Sequence, residues 1–144
     1  MTPGSPTTTF DYDRPAFVED VQTNPDGTTV DCDTLEVFET AVPAHSAALG
    51  IDFVDRREVG GLPPGLLVGL HGSWDRTPPL APGVAFYPWN KATGSLGDQQ
   101  TLFGGFQKPD GTRWGRPVHA VAADGSVYVT DDLAGAVYRL TPSR

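Results

Sequence analysis

Seven short apolar runs, each bounded by glycine, proline or polar turn residues, constrain the fold more than any other feature of the sequence. They read LGIDFV (49–54), GLLVGLHG (65–72), GVAFYPW (83–89), QTLFGGF (100–106), PVHAVAA (117–123), GSVYVTD (125–131) and GAVYRLT (135–141). Each has the length of a strand and is rich in the branched and aromatic side chains that suit a pleated, half-buried surface. No stretch keeps a helical period. The 17 glycines and 14 prolines among 144 residues act in the same direction, favouring many turns over long helices. The sequence therefore predicts an all-β fold. Its length allows one domain with a real core, but not two ordinary ones.

The runs fall into two sets with a shared order: a strand, a Gly-led strand ending in polar residues, and a Gly-led strand carrying an aromatic. Repeats of roughly 40–50 residues, each a meander of about four strands, are how the blades of a β-propeller look in sequence. The expectation is about two blades of an incomplete propeller, built as antiparallel four-stranded meanders. One blade covers residues 45–106; the other, over 117–141, has only three strands. A Greek-key sandwich is the competing all-β arrangement. Ahead of His45 the chain changes character. Residues 1–44 are rich in Thr, Pro and Asp and read as an irregular segment, with a turn at NPDG (24–27) and at most one short strand within DCDTLEVFETAVPA (31–44).

Charge and composition exclude several function classes. A net charge of −8 argues against a nucleic acid or an anionic membrane as partner, since both need a basic face. No apolar run approaches the ~18 residues of a membrane span, and MTPGSPTTTF lacks the basic-then-apolar pattern of a secretory signal. Cys32 stands alone, so neither an internal disulfide nor a cysteine-based zinc site can form within one chain. The acidic pairs Asp11/Asp13, Asp31/Asp33 and Asp131/Asp132 lack the spacing and the Glu of an EF-hand loop, and read as solvated turns.

One strand end is chemically overloaded. LHGSWDR (70–76) places an imidazole, an indole and a guanidinium where a simple turn would use Gly, Asn or Asp. His, Ser and Asp lie at i, i+2 and i+4, on one face of an extended segment, whereas a catalytic triad assembles facing groups from separate elements. The nucleophile elbow G-x-S-x-G fails too, because residue 71 is His and residue 75 is Asp. A hydrolase is rejected. Taken alone, His71 reads as a structural histidine, Arg116 as a surface cation, and Trp74, Trp89 and Trp114 as packing residues. His45 reads as a maker of structural hydrogen bonds, and His119 as a satisfied core or channel-lining histidine rather than a base.

Taken together, PAHSAALGIDF, LHGSWDRTPP and FGGFQKPDGTRWGRPVHAVAADGSVYVTDDLAGAVYRL resemble the C-terminal part of the glucose/sorbosone dehydrogenase family. The resemblance runs from about His45 to the end, with a weaker trace at VDCD. It implies a six-bladed β-propeller quinoprotein that oxidises sugars with pyrroloquinoline quinone (PQQ) and calcium and passes electrons to an acceptor. It further implies that His71 and Arg116 line the cofactor pocket, the arginine facing a PQQ carboxylate, with Arg76 and Trp114 as weaker neighbours. PQQ is flat and carries three carboxylates, so cations and flat or apolar walls suit it. Gly72 and Gly115 would let the backbone approach the ring. Two positions depart from the family: Asp75 stands where Asn is usual, and His119 where the residue is usually small.

Length conflicts with a complete enzyme, since six blades need at least ~240 residues. The general base and the calcium loops of the family lie in earlier blades, so the expectation is a fragment that is inactive alone, with no catalytic residue and no metal ligand assigned. Open blade edges invite self-association or a companion chain. The alternative is a non-catalytic, propeller-derived binding or assembly module; a decayed reading frame is a third. A periplasmic or secreted setting is implied by the resemblance alone, as is a cysteine upstream that would pair with Cys32.

Overall fold

The computed structural model describes residues 9–11, 16–18, 22, 39–55, 59–74 and 76–142 of the chain. The NPDG turn, residues 31–38 with Cys32 and the Asp31/Asp33 pair, Asp13 and Asp75 lie outside the described residues. The chain divides into two compact units, Met1–Ala44 and His45–Arg144. In the first, β1 (Thr9–Asp11) and β2 (Ala16–Val18) form an antiparallel hairpin. The sequence reading allows one short strand in the first 44 residues, within 31–44, and does not anticipate this hairpin. At three residues each, the strands are too short for an alternating pattern to be visible.

The second unit is all-β, with every strand pair antiparallel. Its first sheet contains β3 (Ala48–Val54), β4 (Gly65–Leu70), β5 (Gly83–Asn90), β6 (Ser95–Leu96) and β7 (Gln100–Phe103). The first three form a meander, and β6 and β7 then share the free edge of β5, at Trp89–Asn90 and Val84–Phe86 respectively. Asn90 drives the tight reversal between β5 and β6: its Oδ1 accepts from the Ala92 and Thr93 amides at 3.0 and 3.4 Å, and Gly94 follows in the left-handed region at φ 66°. The second sheet is the meander β8 (Pro117–Ala123), β9 (Ser126–Asp131) and β10 (Ala136–Leu140). A two-residue Asp124–Gly125 turn joins β8 to β9, with φ of 49° and 76°. Two positive φ values match the right-handed twist of a hairpin.

Strand alternation sends one set of side chains from each sheet into a common core. Val54, Leu67, Val84 and Phe86 of the first sheet meet Ala120, Val127 and Val129 of the second, flanked by Leu102, Phe103, Tyr138 and Leu140. The sheets come closest where side chains are missing. A Cβ on Gly69 of β4 would strike the Val118 carbonyl of β8, and one on Gly50 of β3 would strike the His119 ring. Gly50 is thus what accommodates the large residue at position 119, whose Nε2 lies 3.3 Å from the Ile51 carbonyl oxygen. Asp52 of β3 adds a polar cross-link, accepting from the Ala122 amide at 2.9 Å. On the far side of β3 the alternate residues Leu49, Ile51 and Phe53 are about half exposed or more, Ile51 at 64%.

Candidate functional site

His71 leaves the end of β4 and Arg116 stands immediately before β8, so the packing of the two sheets decides whether they meet. They do. The Arg116 Nε donates to the His71 carbonyl at 2.9 Å, with its Nη2 3.5 Å from the Gly72 carbonyl. The strand exit is held from its other side as well, because the His71 and Gly72 amides each donate at 3.0 Å, to the Ala47 and Ser46 carbonyls. Ser73, buried, then closes the following loop: its amide donates to the Leu80 carbonyl at 3.1 Å and its Oγ accepts from the Leu80 amide at 2.7 Å.

A second guanidinium joins this rim, one that the sequence did not single out. Arg113 donates from Nε to Gln107 at 2.9 Å and from Nη2 to the Leu80 carbonyl at 3.1 Å. Partial burial, and then the charge of Arg116, lower its pKa from the ordinary arginine value. Nη1 of both arginines has no hydrogen-bond partner among the described residues. Like charges disfavour each other, and the Asp132 carboxylate, which feels the charge of Arg116, is one anionic neighbour of this rim.

The acidic residues at the end of β9 organise the rim. Asp131 is only 4% exposed. Its Oδ1 accepts from the Arg116 amide at 2.9 Å and the Ala134 amide at 2.8 Å, while Oδ2 accepts from the Tyr138 hydroxyl at 3.1 Å. Burial, with the Asp131 hydrogen bond and charge, raises the Tyr138 phenol pKa. Asp132, next along, accepts at Oδ1 from the ring Nε2 of His71 at 2.9 Å. That hydrogen bond, helped by the charges of His71 and Arg116, lowers the Asp132 pKa from the usual carboxylate value. The reading as a solvated turn is therefore corrected for Asp131, while Asp132 stays exposed in the turn that follows. A twin Asp at a strand end looks like turn chemistry, and the partners that bury one of them are distant in sequence.

The other residues singled out from the sequence take these positions. Arg76 is half-buried beside the same loop. Trp114 is partly exposed, stacks on Phe106 with ring centroids 4.9 Å apart and donates from its indole nitrogen to the Gly105 carbonyl at 2.7 Å. Trp74, expected to pack, is instead 75% exposed. Trp89 meets Phe53 edge-on at 6.0 Å. His45 is exposed with a positive φ of 65° and makes no hydrogen bond among the described residues, contrary to the expectation of a structural role. The glycines have internal reasons: a Cβ on Gly72 would meet Pro82 at 2.7 Å, and one on Gly115 would strike Asp131 and Phe106. Among the described residues no group of three or more His, Cys, Asp or Glu side chains could hold a metal ion, and no helix is long and apolar enough to cross a membrane.

At the other end of the strands, Phe53, Pro63, Pro64, Pro88 and Trp89 line an open groove of about 940 Å³ with Asp55, Asn90 and Lys91 at its edge.

Comparison with known proteins gives little company. An uncharacterized protein of Borreliella burgdorferi is 33% identical over 105 residues, a match covering 69% of this chain and 27% of that protein. The chain thus spans about a quarter of the relative's length. No family model matches the chain, and no solved structure matches it.

Proposed function

We propose that the chain is a two-blade segment of a β-propeller of the PQQ-dependent glucose/sorbosone dehydrogenase type, and that the rim around His71 and Arg116 forms one side of its quinone pocket. The topology supports the blade reading over a Greek-key sandwich: each sheet is built from consecutive strands, and none crosses to the other sheet. The observation that carries the functional reading is the pairing of Arg113 and Arg116. Two guanidiniums, each tied to a backbone carbonyl through one side of its fork and open at Nη1, sit together on a strongly acidic chain. Such a pair suits a ligand bearing several carboxylates.

The donor set fits PQQ in kind. Arg116 and Arg113 would face its carboxylates, Arg76 would add charge, and the exposed indoles of Trp74 and Trp114 offer flat surface nearby. When bound, PQQ supplies the two-electron oxidation of a sugar. The segment contributes binding, and the ring as a whole contributes the base and the calcium site. The test is a titration of PQQ into the full chain followed by tryptophan fluorescence. Binding should be measurable, and Arg116→Ala should weaken it by about 2–3 kcal/mol, as expected for one charge-assisted contact. His71→Ala should weaken it less. Affinity that ignores Arg116 would refute the reading.

The exposed row Leu49, Ile51 and Phe53 favours a second reading, in which the same segment is a non-catalytic module that docks another chain through this face. A stable oligomer or complex without quinone binding would select it.

A further inference from the structure

Asp131 and Asp132 are neighbours with different tasks. Asp131, buried, fixes the backbone before β8 through the Arg116 amide and fixes its own turn through the Ala134 amide. That turn carries Asp132, whose carboxylate meets the His71 ring at Nε2. The Arg116 side chain then returns to the His71 carbonyl. Three segments, at the ends of β4 and β9 and the start of β8, are thereby closed into one hydrogen-bonded circuit. His71 is gripped at both its carbonyl and its ring.

The grip on the ring has a chemical consequence. A neutral imidazole has one donor nitrogen and one acceptor nitrogen, and the bond made by one decides the state of the other. A carboxylate can only accept, so in the neutral ring Nε2 carries the proton and Nδ1 keeps its lone pair. Nδ1 has no partner among the described residues, although the His71 side chain is only 16% exposed. An unpaired acceptor on a partly buried ring is placed to take a hydrogen bond from a ligand that can donate one.

We propose that Asp132 is a positioning residue that fixes the Nε2–H tautomer of His71, so that a ligand at this rim must offer a hydrogen-bond donor to His71 while placing its anionic groups at Arg116. The inference rests on the reading of this rim as a ligand site, but its test needs no ligand. In this arrangement His71 would read a hydroxyl or N–H, and the arginines a carboxylate.

The experiment is long-range nitrogen–proton NMR on the ¹⁵N-labelled full chain at a pH where histidine is neutral, with His71 assigned by comparison with His71→Gln. The wild type should favour the Nε2–H form by at least about tenfold, the bias expected of one hydrogen bond to a charged group. Asp132→Ala should cut that ratio several-fold with the amide spectrum otherwise preserved, because Asp132 is exposed and Asp131 is untouched. Asp132→Asn, which keeps an accepting oxygen without the charge, should restore the tautomer. A wild-type ring in the Nδ1–H form, or a ratio indifferent to Asp132→Ala, would overturn the proposal. If the tautomer behaves as stated while PQQ fails to bind, the quinone reading falls and the role of Asp132 stands.

Discussion

Gly69→Ala tests whether the two sheets pack as described. The new Cβ would lie 2.7 Å from the Val118 carbonyl carbon and 3.2 Å from the His119 nitrogen, both backbone atoms that no rotamer change can move. The Val118 carbonyl oxygen lies nearer still, and ordinary contact begins at 3.4 Å, so β4 and β8 would have to separate by at least roughly 0.7 Å. A gap of that size forfeits about a quarter to a half of each affected dispersion contact, and the affected contacts are those of Leu67, Ala120 and Val129 at the centre of the core. Overpacking of this kind costs about 1–3 kcal/mol, while loss of glycine freedom in the unfolded chain returns about 0.4–1 kcal/mol. The net destabilisation should be on the order of 1–2 kcal/mol. For a unit of this size that lowers Tm by about 4–8 °C per kcal/mol. The assay is thermal unfolding by circular dichroism, with Gly60→Ala as control. The Gly60 Cβ would meet only Pro142, at 3.9 Å, so its Tm should stay within the range of a neutral surface change. A Gly69→Ala protein that melts with the wild type would refute the face-to-face packing.

Three further outcomes follow from the site. The full 144-residue chain, given PQQ, calcium and an artificial electron acceptor, should oxidise no sugar; measurable turnover would mean that copies of the chain complete the ring. Arg116→Lys, which keeps the charge but loses the forked geometry, should bind PQQ with an affinity between those of the wild type and Arg116→Ala in the fluorescence titration. Asp132 has its pKa lowered by His71, so the unfolded chain takes up the proton first as pH falls. The stability it contributes is present above the unfolded carboxylate pKa of about 3.9 and is lost as pH falls through the lower folded value. Asp132→Asn should remove that component from Tm measured across the acid range, and an unchanged acid profile would contradict the Asp132–His71 pair.

Strands were legible because their signal is local. The unbroken apolar run GLLVGL, and the Asp–Gly dipeptide between β8 and β9, each depend only on residues a few positions apart. What was not legible depends on distant pairs. Asp131 resembles any turn aspartate until the Arg116 amide and the Tyr138 hydroxyl are brought to it. His119 is an unusual residue for its place until Gly50 is seen to vacate the space. Arg113 lies in the same loop three residues before Arg116, and only the fold brings it against the Leu80 carbonyl. The resemblance put His71 and Arg116 on one pocket, but only the packing of the two sheets brings the end of β4 and the start of β8 to one rim. The circuit through Asp132 could not be anticipated, because nothing in VTDD distinguishes a solvated carboxylate from one that holds a ring.

The most direct test of the central claim is an amide NMR titration of the full chain with PQQ. The rim site predicts saturable shifts confined to residues 71–76, 113–116 and 131–134, with none around Phe53 and Trp89 at the other end of the strands. Shifts centred on that groove, or no saturable shifts at all, would contradict it.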